Sequence, residues 1–156
     1  MAALLLATAD CTAVRGPRAL VGEALPEAGQ GEWRGWRERE RWAIEEEPSS
    51  GGETWGWVVW TRPGEGALFL RGGGRVADVV RLELVDAWEL GTNCSAAGSS
   101  RWTRDIVGVV PAREEPQGPR CPARMARAAW RIDRGRGRIE SVPVEGLSCR
   151  PPCPWD

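Results

Sequence analysis

Apolar side chains alternate along the segment from Trp55 to Arg71, with one Gly-rich turn in the middle. In the run WGWVVWTR both alternating sets are largely apolar, which is typical of a strand covered on both faces. The turn PGEG at 63–66 and the returning run at 67–71 complete the pattern of a β-hairpin. This segment therefore predicts antiparallel sheet.

Further strand patterns follow this hairpin. Between Val80 and Leu90 the apolar residues fall on one face, interrupted by Asp86, which predicts a half-buried strand. A short strand at 106–110 and a second hairpin at 128–144 come next, whereas the run at 32–47 fits a strand or a helix. We predict a mainly β fold, an antiparallel meander, sandwich or small barrel of about six to eight short strands with at most one helix.

The 156 residues suffice for one domain with a substantial core. We assign a single β-rich domain to 32–148, an irregular lead-in to 10–31 and a Pro-rich tail to 149–156. Residues 1–9, MAALLLATA, join a short apolar run to a small-x-small motif, which predicts a truncated signal peptide. No later segment approaches the roughly 20 apolar residues of a membrane span.

The composition carries a strong bias. All 21 positive charges are arginine, Lys, His and Tyr are absent, and there are 20 Gly, 12 Pro and 10 Trp. The scarce residues have A/T-rich codons and the abundant ones G/C-rich codons, which indicates a GC-rich bacterial genome. An excess of Trp or Arg is therefore no evidence of a site, and with a single Phe the tryptophans must fill the core.

The absent residues exclude whole classes of chemistry. Without His there is no Ser-His-Asp machinery and no imidazole metal ligand, and without Lys there is no Schiff base or P-loop. The cysteines lack CxxC spacing, so we predict no metal site and no cofactor. Carboxylate chemistry remains, with Asp86 beside Trp88 and either Glu53 or Glu83 as its partner. The simpler interpretation makes Asp86 a hydrogen-bonded structural residue.

Five cysteines favour an oxidising compartment, so we predict a secreted or periplasmic protein; reduced, buried cysteines in the cytosol are the alternative. Cys94 and Cys121 bracket one strand, and a disulfide closing that loop would contribute about 3 kcal/mol. Cys149 or Cys153 would anchor the tail, and the other would pair with Cys11. Because five is odd, one thiol stays free or pairs between chains.

Two surfaces are candidates for binding. Trp55, Trp57 and Trp60 would stack on a glycan if exposed, although core packing is the simpler interpretation. Residues 101–150 carry 11 Arg and 6 acidic residues, against 10 and 15 in residues 1–100. This basic region predicts an anion-binding or acidic-partner surface, with a solvated hairpin as the alternative. The candidate anion-binding residues within it are Arg127, Arg131, Arg134, Arg136 and Arg138.

The functional prediction is an extracytoplasmic β-rich domain with a non-enzymatic binding or structural role. Its alternative is a small carboxylate-dependent glycan hydrolase, which needs two carboxyl groups in one cleft. An Arg-rich nucleic-acid-binding protein is a weaker alternative, indicated only by arginines beside an aromatic residue.

Overall fold

A computed structural model describes residues 15–44, 54–83, 88–112 and 122–151. These residues form eleven strands in antiparallel sheets, which confirms the predicted mainly β fold. The number exceeds the expected count because several strands span only two to four residues, too few to show an alternation. The strands are Arg37–Ile44 (β1), Trp55–Arg62 (β2), Glu65–Gly72 (β3), Arg75–Glu83 (β4), Trp88–Gly91 (β5), Asn93–Ser95 (β6), Ile106–Pro111 (β7), Arg124–Met125 (β8), Ala128–Asp133 (β9), Arg138–Ser141 (β10) and Ser148–Arg150 (β11).

Sheet A is a meander of β1 to β4, in which each strand pairs with the next along the chain. The predicted hairpin is its centre, because β2 and β3 pair from Trp55 with Gly72 to Arg62 with Glu65. Gly64 makes the tight turn with a φ of 75°, a conformation that favours glycine. The middle residues of both strands are buried, as expected for strands covered on both faces.

Sheet B has the strand order β10-β9-β7-β5 and packs face to face with sheet A. The core between the two sheets contains Trp57, Val59, Leu68, Leu70, Leu82, Leu90, Val107, Val109, Ile132 and Ile139. At one edge, the Ile139 N–H of β10 donates a hydrogen bond of 2.8 Å to Asp78 Oδ2 of β4. The fold is therefore a β-sandwich with a polar link between two edge strands.

Both outer faces of the sandwich are also covered. The N-terminal segment, with short 3₁₀ helices at Pro17–Leu20 and Gly31–Trp33, packs on the outer face of sheet A. Sheet C, with the strand order β6-β11-β8, packs on the outer face of sheet B. Since these 3₁₀ helices are the only helical segments of the described residues, no helix there is long enough to cross a membrane.

The expected single strand across 80–90 is wrong. Its two ends belong to β4 of sheet A and β5 of sheet B, with residues 84–87 outside the described part. Val80, Leu82 and Leu90 nevertheless face the same core, because the two sheets enclose it from opposite sides. Val79 is buried on the other face of β4, so this strand is covered on both sides.

The ambiguous run at 32–47 contains β1, together with the end of the second 3₁₀ helix. A β-bulge between Glu38 and Glu40 changes the register, so that Glu38 pairs with Trp60 and Glu40 with Val59. In a regular strand the two glutamates would share a face. The bulge instead turns Glu38 to the outer face of sheet A and Glu40 toward the core of the sandwich.

Candidate functional site

The tryptophans of β2 are divided between two cores. Trp57 lies between sheets A and B, whereas Trp60 lies on the outer face of sheet A, and both are buried. Trp55 is partly buried, and its ring covers Gly72, where a Cβ would lie only 2.6 Å from the ring. Since Trp57 and Trp60 expose no ring face, these residues do not form a common stacking platform.

An aromatic cluster surrounds Trp60. Its ring centroid lies 5.7 Å from Trp33, 6.4 Å from Trp36 and 4.8 Å from Phe69. The buried Trp60 Nε1–H has no hydrogen-bond partner among the described residues. The cluster packs the N-terminal segment on sheet A by aromatic contacts. Two backbone hydrogen bonds of 2.8 Å between Val76 of β4 and this segment, at Gly22 and Glu23, hold it there as well.

The arginines of the β9–β10 hairpin lie among acidic residues. Arg134 forms an ion pair of 3.5 Å with Asp105, and Arg136 pairs with Asp133 at 3.7 Å and with Glu140 at 3.8 Å. The other predicted residues of this surface, Arg127, Arg131 and Arg138, are exposed. The neighbouring carboxylates reduce the positive potential that the sequence predicts here.

A cavity of about 330 Å³ opens beside the β2–β3 turn. Its floor is the outer face of sheet A, and its wall is the N-terminal segment. Side chains there alternate in and out of the sheet, so β2, β3 and β4 each contribute the residues of one face. The lining residues are Gly16, Pro17, Arg18, Trp36, Arg62, Glu65, Gly66, Ala67, Val79 and Arg81.

Three of the four charged groups of this cavity, Arg62, Glu65 and Arg81, contact one another. The Arg62 guanidinium lies 4.6 Å from the Trp36 ring centroid and donates a hydrogen bond from Nε to Glu65. Arg81 Nη2 lies 2.9 Å from the other oxygen of Glu65. The hydrogen bond from Arg62 lowers the pKa of Glu65, so this carboxylate is ionised and orders both arginines.

A disulfide joins Cys94 of β6 to Cys149 of β11, with an S–S distance of 2.07 Å and a Cα–Cα distance of 4.0 Å. The two cysteines are directly opposite in the strand pair. Cys94 exchanges its backbone hydrogen bonds with Thr103, both at 2.9 Å, so the cysteines form a non-hydrogen-bonded pair. Opposite side chains are closest at such pairs, which favours a cross-strand disulfide.

Two glycines of sheet B make room for this disulfide. Gly91 and Gly108 are register partners in β5 and β7. A Cβ on Gly91 would lie 2.4 Å from Cys149 Cβ, and a Cβ on Gly108 would lie 2.4 Å from Cys149 Sγ. The pair Cys94–Cys149 replaces the suggested pair Cys94–Cys121; the cysteines at 11, 121 and 153 lie outside the described residues.

Of the three carboxylates singled out for catalysis, only Glu83 belongs to the described residues. Asp86 and Glu53 lie outside the described residues, and Glu83 is exposed. The structure instead places Glu40 against the core, where burial raises its pKa to about 7, opposed by the charge of Arg39. No second carboxylate acts on Glu40 within the described part of the chain.

Comparisons with protein-family models, curated proteins and solved structures gave no match. The described residues also contain no cluster of three or more side chains that would hold a metal ion.

Two features of these surfaces were missed by the sequence analysis. Trp102, rather than a β2 tryptophan, is a solvent-exposed ring, and the Arg150 guanidinium lies 4.1 Å from its centroid. The cavity beside the β2–β3 turn joins Trp36, Arg62 and Arg81, which are far apart in sequence. The one local signal for this cavity was the pairing of a small residue, Ala67, with a large one, Trp60. A small side chain there leaves space on the outer face of sheet A.

Proposed function

We propose that this protein is an extracytoplasmic domain with a binding role, stabilised by a buried disulfide. The observation that carries this proposal is the position of Cys149 over Gly91 and Gly108. A side chain at Gly108 would collide with Cys149 Sγ, and one at Gly91 would collide with Cys149 Cβ. Gly108 therefore leaves room for the sulfur, and Gly91 leaves room for the strand that carries it. Such structural disulfides persist in oxidising compartments, which supports a secreted or periplasmic location.

Among the described residues, the distribution of carboxyl groups favours binding over glycan hydrolysis. Glycosidases need two carboxyl groups on opposite sides of the scissile bond, one of them with a raised pKa. Burial raises the pKa of Glu40, as a general acid requires, but no second carboxylate of the described residues acts on it. A cavity with a positively charged lining is therefore a better basis for function than a catalytic pair.

The test is a chemical map of the cysteines in protein isolated from its native source. We expect a peptide linking Cys94 to Cys149, recovery in the extracytoplasmic fraction and loss of residues 1–9. Five free thiols in correctly folded protein with an intact Met1 would refute the proposal.

Stability provides the second measurement. The disulfide spans 55 residues, and a loop of that length corresponds to about 4 kcal/mol by chain entropy. Replacing Cys94 and Cys149 by Ala should lower the free energy of unfolding by about this amount. The matched control replaces Cys11, Cys121 and Cys153 by Ala and should keep most of the stability.

A further inference from the structure

We propose that the cavity beside the β2–β3 turn binds a small organic anion. The acidic group would lie at the arginines, and the apolar body would lie against Trp36, Ala67 and Val79. This inference rests on the binding role proposed above and names the chemical class of ligand.

The charge of the cavity distinguishes it from two other cavities that described residues line. Arg18, Arg62 and Arg81 face a single carboxylate, that of Glu65, so the lining has an excess of two positive charges. The cavity at the β9–β10 hairpin, of about 410 Å³, has two arginines and two aspartates. The third cavity has one arginine and three glutamates, so only the first of these attracts an anion.

Arg62 is ordered before a ligand binds, and Arg18 has no competing ion pair among the described residues. Arg62 is fixed by Trp36 on one face and uses Nε for Glu65, which leaves its terminal nitrogens for another acceptor. Arg18 forms no ion pair with a described residue. Guanidinium groups that are ordered before binding lose less conformational entropy when they bind a carboxylate or phosphate.

The remaining lining of the cavity is apolar, so the ligand should have an apolar body as well as an acidic group. Pro17, Trp36, Ala67 and Val79 surround the floor, and Ala67 and Val79 are themselves buried. A volume of about 330 Å³ accommodates one ring or a short branched chain beside the acidic group. A bare inorganic anion would fill only part of this volume, so a ligand with an organic body beside its acidic group is favoured.

The experiment titrates the full-length oxidised protein with benzoate, which carries a ring and a carboxylate. Benzyl alcohol supplies the ring alone, and acetate supplies the charge alone. Binding is followed by nitrogen–proton NMR at the Trp36 indole N–H, whose signal is identified by its loss in Trp36→Phe. We expect benzoate to shift this signal and to bind about tenfold more tightly than either fragment.

Variants then locate the site. Arg18→Gln and Arg81→Gln, both at exposed positions, should each weaken benzoate about tenfold. Arg138→Gln removes an exposed arginine from the β9–β10 hairpin and should leave the affinity unchanged. Equal weakening by all three variants, equal binding of benzyl alcohol, or no shift of the Trp36 signal at millimolar benzoate would overturn the proposal. Such failure would leave the disulfide map and fractionation results unchanged, so the two proposals are tested separately.

Discussion

Glu40 gives this protein a pH-dependent stability that can be calculated from the structure. The carboxyl group lies opposite buried Val59, and burial raises its pKa from the ordinary 4.5 to about 7. Because the folded state binds this proton more tightly than the unfolded chain, the contribution is complete below pH 4.5 and is lost as pH rises through 7.

The expected magnitude follows from the two pKa values. At about 1.36 kcal/mol per pH unit, the difference between 4.5 and about 7 corresponds to about 3 kcal/mol. The Glu40 side chain keeps part of its surface in water, so we halve this figure to about 1.5 kcal/mol. Glu40→Gln should remove this dependence, because the amide stays neutral at every pH.

Urea unfolding followed by tryptophan fluorescence at pH 5 and pH 8 measures the effect. As pH rises from 5 to 8, the parent protein should lose about 1.5 kcal/mol of unfolding free energy relative to Glu40→Gln. Glu38→Gln is the matched control, since the hydrogen bond from Arg41 lowers the pKa of Glu38. Parallel pH profiles for Glu40→Gln and the parent would refute the reasoning.

Two further predictions concern packing and the link between the sheets. Gly108→Ala should destabilise the oxidised protein by about 1–3 kcal/mol through contact with Cys149. Denaturant unfolding measures this loss of stability, which should be smaller in a protein whose Cys94 and Cys149 are both Ala. An equal loss with and without the two cysteines would show that contact with the disulfide is not its cause. Asp78→Ala should lower the unfolding free energy by about 1–3 kcal/mol, because the Ile139 N–H loses its acceptor, and unchanged hydrogen exchange at that amide would contradict this.

The sequence predicts local pairing well and long-range pairing poorly. The β2–β3 hairpin follows directly from alternation and one Gly-containing turn, both of which are local. The alternation across 80–90 identifies the core-facing residues but not the crossing between sheets, because both sheets present apolar faces to one core. Periodicity reports which way a side chain points, not which strand lies beside it.

The site depends on contacts that no local pattern contains. Cys94 pairs with Cys149 because the short strands β6 and β11 align them, and strands of three residues give no periodic signal. The cavity needs the N-terminal segment to reach the β2–β3 turn, which depends on aromatic packing around Trp60. Likewise, the β-bulge between Glu38 and Glu40 changes the register of β1. No residue pattern in this segment predicts it.

The order of the strands along the chain has a consequence for biosynthesis. Sheet A is built entirely from neighbouring hairpins, and the segment that covers it precedes it, so this half can assemble while the rest is still being translated. Cys149 lies in β11, the last strand described, and is therefore synthesised late. The disulfide can form only after that, and Cys94 must stay reduced until then. If an oxidant of the compartment joined Cys94 to an earlier cysteine in a disulfide, Cys94 would no longer be available to Cys149, so the timing of disulfide formation affects the yield of folded protein.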